Sequence, residues 1–183
     1  LHRRRHSFPT RRSSDLAGVR DTLGRLHELK TAAYEAMVND GAVSLRPGVL
    51  HLIEEAHQAG LHLAIATTTS PVNIAALLRG AIGPDWRQFF GIVEDASTAA
   101  IKKPHPMVYL QTLRRLQLPA SQCIAFEDSA NGLQAARAAG LLTVITPTRF
   151  TAAHDFSGAL KVLPELQGVT VAKLQAWHTQ TAA

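Results

Sequence analysis

Two adjacent carboxylates, Glu127 and Asp128, stand directly after the apolar run Cys123-Ile124-Ala125-Phe126 and before Ser129 and an alanine-rich segment. Neighbouring carboxylates repel and raise each other's pKa unless a cation holds both. Four apolar residues in a row predict a strand buried on both faces. In an open α/β sheet, ligands gather at the carboxyl ends of parallel strands. Hard oxygen donors there, beside a helix N-terminus able to receive phosphate, suit Mg²⁺ and a phosphoryl substrate. The same residues also read as a solvated Glu-Asp turn that caps the helix through Ser129, and the pair alone does not separate the two. Two further loops bring polar groups toward this edge. Thr67, after the run His62 to Ala66, offers a hydroxyl and nearby backbone N–H groups, and Lys103, held beside Pro104, offers a cation. A phosphoryl group in transfer carries negative charge on its equatorial oxygens, which a divalent cation, an ammonium and hydrogen-bond donors neutralise. No residue of this set is left to act as nucleophile.

Such a site needs alternating strands and helices to position it. From Val19 to Asn39 apolar residues recur at helical spacing (Leu23, Leu26, Leu29, Ala33, Met37), which predicts a helix or helix pair closed by Gly41. Pro47 opens a helix to Ala59, and His62 to Ala66 forms a buried strand. A helix carrying Ile74, Leu77 and Leu78 follows, then a weaker strand from Phe89 to Val93. Lys102-Lys103-Pro104-His105-Pro106 opens a helix to Leu116, the Cys123–Phe126 strand leads into a helix ending at Gly140, and Leu141 to Thr146 is the next strand. The remainder, including Val169 to Trp177, carries no clear pattern. The alternation predicts an α/β fold, a Rossmann-like parallel sheet with helices on both faces.

At 183 residues, 46% of them hydrophobic and 5% aromatic, the chain holds one core. Its formal charge of +5 is concentrated at the start, where Arg3, Arg4, Arg5, Arg11 and Arg12 face only Asp15. The body is therefore near neutral and gives no ground for nucleic-acid binding. One cysteine, Cys123, excludes an internal disulfide and suits a reducing, cytoplasmic setting. No segment has the length and apolarity of a membrane span, and the Arg-rich start lacks the apolar stretch of a secretory signal. Ser7 to Leu16 (SFPTRRSSDL) matches the translation of a common sequencing adaptor, so residues 1–16 are set aside as an artefact. A nucleic-acid arm is the reading that falls with them.

The pieces LRPGV (45–49), LAIATTTS (63–70), KKPHP (102–106), CIAFEDSANGLQAARAAG (123–140) and DFSGA (155–159), in this order, resemble the haloacid dehalogenase superfamily. The resemblance is strongest to its β-phosphoglucomutase-like branch and the CbbY-like sugar-bisphosphate phosphatases, and covers roughly Leu26 to Gly168. It implies a Mg²⁺-dependent phosphatase of a small phosphorylated sugar, monomeric, working through an aspartyl-phosphate. Thr67 would bind the transferring phosphoryl, with Thr68 helping through its backbone. Lys103 would bridge phosphoryl and nucleophile, and Glu127 with Asp128 would serve the metal, Asp128 more directly. Residues 17–44 would be the remnant of a helical cap, with Lys30 a contact to a distal phosphate, and residues 45–183 the core. Two departures stand out. The family's first motif, a strand ending in Asp-x-Asp that supplies the nucleophile, has no counterpart here, and Met107 stands where the family usually has an acid. The resemblance therefore implies that the central first strand is missing, that its neighbours' backbone groups are unpaired, and that the chain as written is inactive and of low stability. A phosphomutase, or a non-catalytic pseudoenzyme or binding module, is the alternative.

Overall fold

The computed structural model describes residues 13–181. A single helix, α1 (Ser13–Asn39), spans the first 27 of them and packs against α3 (Pro71–Ala81). Among its described apolar side chains only Val38 is buried. Val19, Leu23, Leu26, Leu29 and Met37 are at least half exposed. Most of the helical periodicity in that stretch therefore faces away from the core. Most of the stretch read as an artefact, residues 1–16, lies outside the described residues.

From α2 onward strands and helices alternate: α2 (Val49–Gln58), β1 (Ala64–Ala66), α3, β2 (Ile92–Glu94), α4 (Met107–Leu116), β3 (Ile124–Glu127), α5 (Ala130–Ala138), β4 (Leu142–Ile145), β5 (Lys161–Val162) and α6 (Val171–Thr181). The α/β architecture of parallel strands follows the sequence reading, with shifts at three places. The second strand, β2, begins at Ile92 instead of Phe89, because residues Trp86–Phe89 form a 3-10 turn that sinks the Trp86 ring, 2% exposed, against Ile74 and Leu78. α2 starts at Val49, with Gly48 in the left-handed conformation before it. β5 and α6 carry no strong pattern: both β5 residues are exposed at a sheet edge, and α6 alternates poorly.

The strands form two separate parallel ladders among the described residues, β1–β2 and β3–β4–β5. Thr67 N–H donates to Glu94 O and Leu63 O accepts from Gly91 N–H, so the odd residues of β1 turn toward β2. By the alternation of a parallel ladder, Ala64 and Ala66 turn their backbone groups the other way. Thr146 N–H donates to Glu127 O, so in β3 it is Ile124 and Phe126 that turn away from β4. These two unpaired edges line opposite sides of a cleft of about 910 Å³. Phe126 is accordingly 40% exposed, which corrects the expectation that this strand is buried on both faces. Among the described residues this apolar run is paired on one side only, to β4.

Helices hold the two ladders together. On one face α4 packs on β1 and β2, α5 on β3 and β4, and α4 meets α5 over a core of Val108, Ala125, Ala135, Ala136 and Leu141. On the other, α2 and α6 pack over Val144, with Leu52, Ala56, Leu166 and Val171. The loop before α2 ties this second core down. Arg46 donates to the carbonyls of Thr146 (2.5 Å), Pro147 (3.0 Å) and Pro164 (2.5 Å), and Leu166 N–H donates to Pro47 O at 3.2 Å. Gly48, at φ +82°, lets this loop lie on the backbone of Leu166: a Cβ there would fall 2.2 Å from the Leu166 carbonyl. We expect Gly48→Ala to cost at least the roughly 1–3 kcal/mol of a left-handed non-glycine residue. Urea unfolding of the full chain checks this, and a loss below 0.5 kcal/mol, a value taken as roughly that of an inert surface change, would show that the contact is not tight.

Candidate functional site

The carboxyl ends of β1 and β3 carry the polar residues singled out in the sequence. Thr67 follows β1, Glu127 ends β3 and Asp128 follows it. Lys103 comes from the loop before α4, its peptide bond to Pro104 being cis. Thr67, Lys103, Glu127 and Asp128 all line the one cleft. Thr67 Oγ1 accepts from Thr69 N–H at 3.2 Å, folding the loop into a tight turn ahead of Ser70, which caps α3. Thr68 is half-buried in this turn and does not line the cleft. Lys30 is exposed on α1 and does not line it either. Four of the six sequence candidates thus line one cleft, and Thr68 and Lys30 do not.

Lys103 is the centre of the arrangement. Its Nζ donates to Ala66 O at 2.9 Å and to Glu127 Oε1 at 2.5 Å, so one side chain joins the unpaired edge of β1 to the end of β3. The pair is shielded, with side chains 16% and 8% exposed. Sequence reasoning missed Tyr109, whose hydroxyl donates to the same Oε1 and whose ring centroid lies 4.8 Å from Lys103 Nζ. The signal available was its place six residues after Lys103, on the first turn of α4. It missed a role for Arg46 too, which lines the cleft while bonded to three carbonyls. At Met107, the residue that departs from the family pattern, the backbone N–H is capped by His105 Nδ1 at 3.2 Å.

Glu127 is not the solvated half of a turn. Its carboxylate lies against Gly132, where a Cβ would fall 2.0 Å from Oε2. Ser129 does cap α5, accepting from Gly132 N–H at 3.2 Å, so that part of the plainer reading holds beside a buried Glu127. Asp128, in contrast, is exposed and makes no hydrogen bond or ion pair with a described residue. Burial first, and then the Glu127 carboxylate, push the Tyr109 phenol well above its ordinary range. For a cation, the donors fit Mg²⁺ in kind: a free carboxylate at a strand end, with a second beside it. Mg²⁺ is commonly held by one or two carboxylates plus substrate oxygens and water. No cluster of three or more His, Cys, Asp or Glu occurs among the described residues.

A parallel α/β sheet with a lysine, a hydroxyl and a carboxylate pair at one carboxyl edge defines a phosphohydrolase type of site. The comparisons agree. A model of the haloacid dehalogenase-like hydrolases matches residues 5–140, and the chain belongs to that family. It is 49% identical to the plasmid CbbY protein of Cupriavidus necator over 89% of this chain and 70% of that protein. Two other CbbY proteins are covered over only 60% and 62% of their lengths. Among solved structures, CbbY from Rhodobacter sphaeroides in complex with xylulose-1,5-bisphosphate superposes with a TM-score of 0.78 at 39% identity, covering 82% of this chain and 68% of that one. A β-phosphoglucomutase from Clostridium difficile shares the fold, with a TM-score of 0.70 at 19% identity over 86% and 67% of the two chains.

Two outcomes test the geometry. Gly132 is helical, and the three atoms nearest to an added Cβ all belong to the Glu127 carboxylate, so Gly132→Ala strains chiefly that contact. It should cost about 1–3 kcal/mol by displacing a buried, hydrogen-bonded carboxylate, and that cost should vanish in a Glu127→Ala background. Equal costs in both backgrounds, read by urea unfolding, would contradict the contact. The second concerns pH. Below about pH 10 Tyr109 is neutral in both states; above it only the unfolded chain ionises readily. Stability should fall as pH rises beyond about 10, by up to about 1.4 kcal/mol per unit, and Tyr109→Phe should flatten that fall in urea midpoints taken from pH 8 to 11.

Proposed function

We propose that this chain is the core of a Mg²⁺-dependent phosphatase acting on a small phosphorylated sugar. The observation that carries the reading is the convergence of Lys103, Thr67, Glu127 and Asp128 on one cleft at the carboxyl edge. Lys103 would bind a phosphoryl oxygen with the donor left after its bonds to Ala66 and Glu127. The Thr67 hydroxyl and the Thr68 backbone N–H would bind another. Asp128, with Glu127 beside it, would hold Mg²⁺, whose contribution is to neutralise phosphoryl charge. The CbbY complex with xylulose-1,5-bisphosphate supports a sugar bisphosphate as the substrate class. Lys30 as a contact to its distal phosphate has no such support, being exposed on α1 away from the cleft lining. The reading includes a monomer working in the cytoplasm; the structure's own contribution is that no described helix is long and apolar enough to cross a membrane.

One feature favours a second reading for the chain as it stands. Among the described residues, nothing at the cleft offers a carboxylate to attack phosphorus apart from the pair assigned to the metal. An aspartyl-phosphate needs that group, so the chain itself would bind phosphate without turning over substrate, as a non-catalytic module does. Titration of the full chain with inorganic phosphate and Mg²⁺ tests both halves. We expect binding that needs Mg²⁺ and weakens at least about tenfold in Asp128→Asn and in Lys103→Met, the loss of one charge-assisted contact. Binding indifferent to both changes would contradict the site. Asp128-dependent release of phosphate from a sugar bisphosphate would contradict the non-catalytic half.

A further inference from the structure

Tyr109 has no part in the proposed chemistry, yet it lines the cleft beside Lys103 and Glu127. It is 6% exposed on the first turn of α4, its hydroxyl donates to Glu127 Oε1, and its ring lies 4.8 Å from Lys103 Nζ. That same oxygen accepts from Lys103. The other oxygen of Glu127 lies against Gly132, whose own N–H is given to Ser129. The Glu127 side chain, 8% exposed, therefore depends on two donors, the lysine and the phenol. A carboxylate so poorly hydrated does not rest on one hydrogen bond; deprived of the phenol it turns toward water. Lys103 would lose its anchor when Glu127 turns, because the ammonium is otherwise held only by Ala66 O and the face of the ring.

We propose that Tyr109 is a positioning residue for the anion-binding lysine: its hydroxyl fixes Glu127, its ring supports Lys103, and together they hold the ammonium in place with one of its three N–H donors left for an anion. The positioning itself is a property of the ligand-free chain. Only the identity of the anion as a phosphoryl group rests on the function proposed above.

The ammonium signals of the full-length protein test this by ¹H–¹⁵N correlation, with Lys30, Lys102, Lys161 and Lys173 as the other lysines. In the ligand-free protein Lys103 should give a slowly exchanging signal. Tyr109→Phe keeps the ring and its volume. It should speed exchange at Lys103 about fivefold or more, the factor for roughly 1 kcal/mol of lost restraint, and leave Lys173, bonded to Gly168 O at 2.7 Å, unchanged. A purely packing role for the ring predicts no change, and an unchanged Lys103 in the folded variant overturns the proposal. If the variant does not fold, the wild-type protein decides. The Tyr109 hydroxyl proton should itself be protected from solvent and show cross-relaxation to Lys103, and a hydroxyl exchanging at the solvent rate overturns the proposal. Inorganic phosphate with Mg²⁺ forms a separate arm. If it fails to move the Lys103 signal while Tyr109→Phe still accelerates exchange, the positioning role is supported and the phosphoryl reading fails.

Discussion

The ammonium of Lys103 is the tie on which this site depends. It reaches from the last carbonyl of β1 to the carboxylate that ends β3, and those two strands have no backbone hydrogen bond between them. An exposed pair of this kind would contribute little, because water screens it and side-chain entropy opposes it. This one is shielded and has a second donor on the carboxylate, so breaking it leaves a buried charge without its partner, which costs far more than the pair itself contributes. The hydroxyl of Thr67 and the free carboxylate of Asp128 are brought to one cleft by the two strands that the lysine joins.

The rest of the structure can be read as support for that crossing. α4 and α5 bridge the two ladders with small residues: Ala135 and Ala136 are fully buried and allow helix and sheet to approach closely. Gly132 is bare so that the Glu127 carboxylate fits under the first turn of α5. Arg46 and Gly48 clamp the loops after β4 and before α6 on the opposite face. Between these supports β1 and β3 each keep one unpaired edge, and Lys103 crosses from one to the other. Phe126, a core-type side chain on the unpaired edge of β3, is 40% exposed.

Much of this was legible in the sequence, for reasons that differ by residue. The runs at Ala64–Ala66 and Ile124–Phe126 announce strands because both faces of a parallel sheet are normally covered, so their residues are uniformly apolar. Their polar termini announce the site, because carboxyl ends of such strands meet at one edge. Tyr109 stayed hidden because an aromatic on the first turn of an amphipathic helix reads as core, which it also is; only the fold turns its hydroxyl to Glu127. Lys30 could not be placed from the sequence: its segment is helical, as expected, but periodicity does not say where a helix lies relative to the cleft. β5 and α6 gave no pattern because one is a two-residue exposed edge and the other buries its residues unevenly.

The direct measurement is amide hydrogen exchange, residue by residue, along β1 and β3 in the full chain. If the two edges face each other unpaired, exchange should alternate. Ala64, Ala66, Ile124 and Phe126 should exchange fast, while Ile65, Thr67, Ala125 and Glu127, which point into the ladders, should be protected. Uniform protection along both strands would mean that the edges are paired after all, and the account of a site assembled across them by Lys103 would be wrong.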